Sequence, residues 1–253
     1  IETYERLTKM SVHERHPYAG KLVFTAFSGS HQDAINKGLQ AMKEQNSKIW
    51  AVPYLPIDPS DIGREYEPIV RINSQSGKGG VAFVMEYYFG YKLPKGMHKE
   101  FAEVIQQRSE KQGEVTPEQI MDEFRRHYID QKEPLHFRKC KFEEMSDHDD
   151  PYNTKAHVIY TNNGIEKSFE AEGNGPIDAV LRGLQDELGI HIKILDYTEH
   201  ALGGGANAKA AAYIHMLDNA TGKITFGVGV SSNITRASIR AIFSALNRFI
   251  NNK

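Results

Sequence analysis

The 253-residue sequence is poor in the features that mark several large classes of protein. It has one cysteine, Cys140, so no disulfide can form within the chain, and this usage is typical of a reducing compartment such as the cytoplasm. Its apolar runs are much shorter than the roughly 20 residues that a transmembrane helix needs. Its formal net charge of −2 reflects neither a basic excess nor an acidic tail. We therefore expect a cytoplasmic globular protein that binds neither membranes nor nucleic acid.

The motifs that most often hold a metal are missing too. The sequence has no His-x-His, Cys-x-x-Cys or His-Glu-x-x-His pattern. His13 and His16 could share a metal on a helix, but Pro17 follows at once, and a polar connector is the alternative. We expect no metal site in this chain. Because its first residue is Ile1 rather than methionine, we also expect it to be cut from a longer protein.

What is present is a repeated alternation of strand and helix patterns near the end of the chain. The stretches KSFEAEGNGPIDAVLRGLQDEL and ITFGVGVSSNITRASIRAIFSALNRFI each predict a strand, a Gly-x-Gly turn and a helix. Further strand-like segments, such as KAHVIYTNN and HIKILDYTEHA, precede the helices. We predict an α+β fold, α/β overall, with a pseudo-symmetric (βββα)2 domain at residues 151–253. Domains of this kind often dimerise and bind ligands between their halves.

Two apolar stripes support the predicted helices of this domain. Their residues recur at intervals of three and four, which places them on one face of each helix. The first stripe is Ile177, Val180, Leu181, Leu184 and Leu188, and the second is Ile239, Ile242, Phe243, Leu246, Phe249 and Ile250.

The earlier part of the chain is predicted to hold two smaller subdomains. A strand over residues 22–27 precedes an amphipathic helix, and the proline-rich loop WAVPYLPIDPSDIG follows. YEPIVRINSQSGKGGVAFVMEYYFGYKLP predicts two strands joined by a Gly-rich turn. Two helices come next, the second with Thr116 as the start of a capping box. Residues 131–150 are polar and aperiodic, and we predict that they form a linker at a domain boundary.

The turn FSGSHQDAINKG brings His31 to the first turn of the predicted amphipathic helix. The positive end of a helix dipole disfavours imidazolium, so we expect a neutral histidine that can accept a proton. Such a residue suits acid–base catalysis, and it suits helix capping or an interface equally well.

Three glycine-rich stretches are candidates for ligand binding. AEGNGPIDA, residues 171–179, places two glycines before a helix whose free N–H groups suit a small carboxylate; a plain strand-to-helix turn is the alternative. ALGGGANAKAAAY, residues 201–213, has side chains too small for a core, which predicts a ligand-gating loop. SQSGKGGVAF, residues 74–83, lacks the spacing of a phosphate-binding loop, so a hairpin turn is favoured.

Several long segments together resemble the C-terminal portion of the long-form 2-isopropylmalate synthases: HPYAGKLVFTAFSGSHQDAINKGL, VPYLPIDPSDIGREYEPIVRINSQSGKGGVAF, EAEGNGPIDA and GVGVSSNITRASIRA. The resemblance covers nearly the whole chain. That family condenses acetyl-CoA with 2-oxoisovalerate in leucine biosynthesis and is inhibited by leucine. The resemblance implies a catalytic TIM barrel upstream of Ile1, and this barrel would hold Mg²⁺, Mn²⁺ or Zn²⁺. It also implies that the present chain binds no metal and is inactive alone.

The resemblance also divides the chain. It implies a barrel exit at 1–22, a first subdomain at 23–60, a second at 61–130 and a regulatory domain at 151–253 after the linker. In the family's homodimer, the first subdomain of one subunit reaches over the barrel of its partner. The resemblance therefore implies that His31 and Tyr54 are catalytic residues of the partner's active site.

The resemblance implies a leucine site as well. Its residues are Gly173, Gly175, Ile177, Asp178, Ile194, Tyr197, Ala201, Ala208 and Ala210. Asp178 stands where the family pattern has alanine, and its carboxylate is expected to change the polarity of the pocket. Two alternatives stay open: a stand-alone leucine-sensing module without catalysis, and the regulatory part of a citramalate synthase that senses isoleucine.

Overall fold

The chain folds into two compact units. The computed structural model describes residues 1–20, 22–24, 26, 29–64, 78–113, 115–129, 131–145, 153–205 and 207–251. The first unit comprises Ile1–Phe89 and His98–Ile120, and the second comprises Gly90–Met97 and Met121–Lys253. No helix in the described ranges combines the length and apolar character needed to cross a membrane.

Five helices make up most of the described residues before the sheets. They are α1 (Glu2–Thr8), α2 (Gly29–Glu44), α3 (Lys78–Phe89), α4 (Lys95–Gln112) and α5 (Pro117–Phe124), with a 3-10 helix at Pro59–Ile62 and a π-helix at Arg125–Ile129. The predicted capping box of α5 is confirmed: Gln119 N–H donates to Thr116 Oγ1 over 3.3 Å, and Thr116 N–H donates to Gln119 Oε1 over 3.0 Å.

A small core ties α2 to the proline-rich loop in the first unit. Ile35 lies on the buried face of α2, and Val52 and Leu55 come from the loop. Phe24 and Ala26 complete the cluster. Burying aliphatic and aromatic side chains contributes about 1.5–3 kcal/mol each, so this cluster fixes the loop against the helix.

Two predictions for the first unit are wrong. Residues 22–24, predicted as strand, lie in a turn, where Leu22 N–H donates to Glu14 O over 2.8 Å. The run VAFVMEYYF, predicted as the second strand of a hairpin, lies within helix α3. Because this run is apolar at almost every position, it has no alternation that separates a strand from a buried helix. The predicted first strand and its glycine turn fall mostly on residues 65–77, which are outside the described residues.

The second unit contains two three-stranded antiparallel sheets, each followed by a helix. Strands β1 (Leu135–Glu144), β2 (Thr154–Asn162) and β3 (Ile165–Gly173) precede α6 (Pro176–Leu188), and β4 (Ile192–Leu202), β5 (Lys209–Asp218) and β6 (Ile224–Ser231) precede α7 (Ile234–Asn251). Each sheet keeps its strands in sequence order. The predicted α+β fold with a pseudo-symmetric (βββα)2 arrangement is confirmed.

Strand β1 lies inside the segment predicted as a linker, so that part of the prediction is wrong. Its pairing with β2 shifts between Phe137 and Lys139. On one side of this bulge Leu135 and Phe137 are buried, and beyond it Cys140 and Phe142 pack on the same core. The buried positions therefore change from odd-numbered residues before the bulge to even-numbered residues after it. Because of this shift, the sequence lacks the continuous alternation of apolar residues that predicts a strand.

The same irregularity occurs in the second sheet. The pairing of β4 with β5 shifts between Ile194 and Asp196, which is the same distance from the start of β4 as the bulge is from the start of β1. A bulge is a specific local feature, so its repetition supports the equivalence of the two halves.

One core joins both halves of the second unit. The predicted apolar stripes of α6 and α7 are confirmed as its main contributors, with Val180, Leu184, Ile242 and Leu246 fully buried. Strand β6 approaches α7 with backbone against backbone. A Cβ on Gly229 would overlap the carbonyl oxygen of Ala237 and lie 2.6 Å from Ala241 N, so only glycine fits there.

This close approach explains a further wrong prediction. Residues 201–213 were predicted as a ligand-gating loop because their side chains are small, yet 209–213 begin strand β5. Ala211 and Ala212 are completely buried. Only small side chains fit between a sheet and a helix that packs this close to it.

Candidate functional site

His31 is held at the first turn of α2 by the packing beneath it. It is the third residue of the helix, and its side chain is exposed. The next residue, Gln32, is 1% exposed and donates from Nε2 to the carbonyl oxygen of Ala26 over 2.7 Å. With Ile35 also buried, the inward face of this turn is anchored and His31 is left on the outward face.

Tyr54 is presented by the proline-rich loop. The loop is fixed on both sides of it, because Val52 and Leu55 are buried and Trp50 Nε1 donates to Leu55 O over 2.7 Å. Tyr54 has a φ of 63°, a left-handed conformation that is uncommon for a residue with a side chain. Backbone strain of this kind persists only where the surroundings impose it.

The two side chains meet. The rings of His31 and Tyr54 stack with their centroids 4.1 Å apart and an angle of 24° between their planes. Tyr54 remains 60% exposed, so among the described residues the pair lies on the surface. The structure thus brings together the two residues that the family resemblance singled out, with the imidazole and the phenol open to an incoming surface.

The residues of the implied leucine site fall into two groups, the first at the turn between β3 and α6. A Cβ on Gly173 would lie 2.4 Å from the backbone nitrogen of Ala179, so close approach requires this glycine. Asp178 Oδ2 accepts hydrogen bonds from Asn174 N–H over 3.1 Å and from Arg182 Nε over 2.8 Å. Gly175 differs, because a Cβ there would meet nothing within 4 Å and its φ of 176° is ordinary extended backbone.

Gly175 is the N-cap of α6 and makes no side-chain capping bond. The first N–H groups of a helix have no intrahelical acceptor, and an anion can bind them. The open space beside Gly175 is where such a group could enter.

The second group lies on the ladder of β4 and β5. Ala201 pairs directly with Ala210, and Ala208 comes just before β5. The Tyr197 hydroxyl hydrogen-bonds Glu199 and lies 2.9 Å from Ser238 Oγ on α7. Burial, reinforced by the bond to Glu199, raises the pKa of Tyr197 to about 12, so its phenol stays protonated at neutral pH.

The two groups border one core. Ile177 from the turn, and Ile194, Tyr197 and Ala210 from the ladder, all pack partly buried against it. An aliphatic ligand side chain at this border would add to an apolar surface that the protein already has.

The paired histidines of the connector lie in turns rather than on a helix, because α1 ends at Thr8. His13 Nδ1 accepts from Arg15 N–H over 3.1 Å, and His16 Nδ1 lies 2.9 Å from Pro17 O. Within the described ranges, no group of three or more His, Cys, Asp or Glu side chains could hold a metal ion.

These features define a class of protein: small α+β units with an outward-facing histidine–tyrosine pair and a pseudo-symmetric pair of sheet–helix halves. Comparison with family models narrows the class. Residues 21–86 match the alpha-isopropylmalate synthase, post-catalytic domain-like model, and residues 114–250 match the LeuA allosteric (dimerisation) domain. The chain belongs to the 2-isopropylmalate synthase family through these two domains.

Comparison with individual curated relatives gives the same family. The chain is 50% identical to the 2-isopropylmalate synthase of Clostridium acetobutylicum over 250 residues, 46% identical to that of Acetoanaerobium sticklandii over 252 and 44% identical to that of Brucella suis biovar 1 over 253. These matches cover 98%, 99% and 98% of the chain, respectively, and 44% of each relative. The chain thus spans less than half the length of the curated relatives it matches. The resemblance inferred from the sequence is confirmed.

Proposed function

We propose that this chain is the accessory and regulatory part of a 2-isopropylmalate synthase. The complete enzyme would transfer the acetyl group of acetyl-CoA to 2-oxoisovalerate. The acetyl methyl carbon bonds to the ketone carbon, and water then cleaves the thioester to release 2-isopropylmalate and CoA. The family models and the names of the relatives support this reaction.

The observation that carries the proposal is the exposed stack of His31 on Tyr54. A self-contained active site would enclose such groups, whereas Tyr54 is 60% exposed. An outward pair held on a fixed turn and loop suits a part that completes a site on another surface. We propose that this surface is the barrel of a partner subunit, and the matched dimerisation domain supports a homodimer.

The proposed reaction can use both the imidazole of His31 and the phenol of Tyr54. A proton must leave the acetyl methyl group, and negative charge must develop on the former ketone oxygen. A neutral His31 imidazole can accept a proton or orient the group that does, and the Tyr54 phenol can donate a hydrogen bond to the developing alkoxide. A divalent metal in the barrel would supply Lewis acidity, and no residue of this chain is assigned to it. Without a barrel, the chain alone would be inactive.

Substitutions in the complete enzyme test this role. We expect His31→Ala to lower turnover about 100-fold or more, as loss of a general acid–base group does. Tyr54→Phe keeps the stacking ring and removes only the hydroxyl group. Its matched control is Tyr18→Phe, since Tyr18 has a φ of 62° and is 62% exposed, almost the same as Tyr54. Equal activity of the two Phe variants would leave Tyr54 without a chemical role.

A mixed dimer tests action between subunits. One subunit carries an inactivated barrel and intact His31, and the other carries an intact barrel and His31→Ala. If His31 acts across the dimer, the mixed dimer has one complete site and about half of the normal activity, although each homodimer is inactive. No recovery would mean that His31 serves its own subunit.

We further propose that the β3–α6 turn and the β4–β5 ladder bind leucine as a feedback inhibitor. The free N–H groups beside Gly175 suit the carboxylate, Asp178 suits the ammonium group, and Ile177 and Ile194 suit the aliphatic side chain. In the second half, Asn233 occupies the position of Gly175 and its Oδ1 caps α7 by accepting from Arg236 N–H over 2.9 Å.

Gly175→Asn should therefore cap α6 and block the site. We expect it to abolish leucine binding by calorimetry on the complete enzyme, while leaving the unfolding midpoint unchanged or higher. Isoleucine is titrated in parallel. Tight binding of isoleucine without leucine binding would favour a citramalate synthase, and unchanged leucine binding in Gly175→Asn would refute the placement of the site.

A further inference from the structure

The second unit has an open cavity of about 620 Å³ where the start of β1 faces the turn between β6 and α7. This volume lies within the range of small-molecule sites. Six of its lining side chains are basic or can become cationic: Arg125, Lys132, His136, Lys209, Arg236 and Arg240. No Asp or Glu is among the lining residues that the structure describes. Such a concentration of one sign of charge attracts anions.

The pKa of His136 responds to the charges around the cavity. Burial lowers the pKa of His136, and the neighbouring charges of Arg138, Lys132 and Arg240 lower it further, while Glu133 raises it. Both effects disfavour adding another positive charge. A bound anion would reverse the second effect.

The cavity is partly organised before any ligand arrives. Arg240 Nη1 donates to the carbonyl oxygen of Val230 over 2.7 Å, which holds its guanidinium group at the β6–α7 turn. Ser231 Oγ accepts from Asn233 N–H over 3.2 Å, and Asn233 in turn caps α7. A prearranged guanidinium group loses less conformational entropy on binding.

The two pseudo-symmetric halves carry different charges at equivalent positions of their helices. The third and seventh residues of α6 are Asp178 and Arg182, which form an ion pair at 2.8 Å. The corresponding residues of α7 are Arg236 and Arg240, two like charges. The pair on α6 is neutral overall, whereas the pair on α7 carries two positive charges.

We propose that this cavity binds a phosphate-bearing organic anion of nucleotide size, and that it is a second ligand site distinct from the turn at Gly175. Arginine forks match the oxygen atoms of phosphate groups, and three arginines line the cavity. Tyr91 and Phe137 also line it, and since they are 8% and 9% exposed, each offers a narrow aromatic edge to an organic portion. The cavity is separate from the proposed leucine site, because none of the residues proposed for that site lines it.

The test is calorimetric titration of the complete protein at low salt with ADP, inorganic pyrophosphate and succinate. We expect ADP to bind more tightly than pyrophosphate and pyrophosphate more tightly than succinate. We expect Arg236→Gln to weaken ADP binding about tenfold or more, because it removes a charge-assisted hydrogen bond. Lys209→Gln provides a second test should Arg236→Gln not fold, as judged by circular dichroism.

The matched control is Lys139→Gln, which removes one positive charge from exposed β1 surface outside the cavity. We expect a change of less than about threefold there, since it alters only the screened field. An NMR titration supplies an independent readout: ADP should raise the pKa of His136. No ADP binding, equal binding of succinate and ADP, or an effect of the control variant equal to that of the cavity variant would each overturn the proposal.

Discussion

Gly229→Ala should destabilise the second unit more than most single methyl additions. An alanine Cβ there would overlap the carbonyl oxygen of Ala237 and lie 2.6 Å from Ala241 N, whereas ordinary contact begins at 3.4 Å. Overpacking usually costs about 1–3 kcal/mol, and the upper end applies because backbone atoms cannot rotate away as a side chain can. We expect a loss of about 3 kcal/mol.

The assay is thermal and urea unfolding followed by circular dichroism, compared with the unsubstituted protein. For a chain of this size, about 3 kcal/mol corresponds to a fall of about 6–12 °C in melting temperature. Gly204→Ala is the control, because a Cβ there meets nothing within 4 Å. Its stability should change by less than about 0.5 kcal/mol. If the two variants melt at the same temperature, β6 and α7 are not in the close contact described.

Two further predictions concern the second unit. Asn247 is completely buried and bonds both backbone groups of Leu135, at 2.8 and 2.7 Å, so Asn247→Ala should cost about 3 kcal/mol in urea unfolding. Asn251→Ala, which removes one exposed bond, should cost less than about 1 kcal/mol; equal losses would contradict this. Burial first, and then neighbouring cations, lower the pKa of His127 and His136 below the ordinary 6.5, so their stabilising contribution is full above that pH and lost as pH falls through the lowered values. We expect lower melting temperatures on acidification from neutral pH toward pH 5, and NMR titration of both imidazoles to midpoints below 6.5; midpoints at or above 6.5 would contradict this.

The helices of the second unit could be predicted because their pattern is strictly one-sided. Val180 and Leu184 repeat at the helical interval of four residues, and so do Ile242 and Leu246. Helix α3 could not be predicted in this way, since apolar residues cover nearly all of its surface. Strand β1 was missed for a different reason: its bulge after Phe137 shifts the alternation by one residue.

The candidate site was predictable residue by residue but not as a geometry. His31 and Tyr54 were identified through a family resemblance, and nothing in the local sequence of either residue predicts that their rings stack. That contact depends on the core that fixes the loop to α2. The basic cavity gave no sequence signal at all, because its charges come from separate elements and form no motif.

The contact between β6 and α7 has a mechanical consequence. With no side chain between the two backbones at Gly229, the helix cannot slide or roll along the strand without steric overlap, so the pair must move as one stiff body. Helix α7 has 18 residues and is therefore about 27 Å long. Arg236 stands near one end of this rod, and Asn247 grips the backbone of Leu135 near the other. A ligand contact at Arg236 that displaces α7 would therefore also displace Leu135, which itself lines the cavity, without any intermediate chain of side-chain rearrangements.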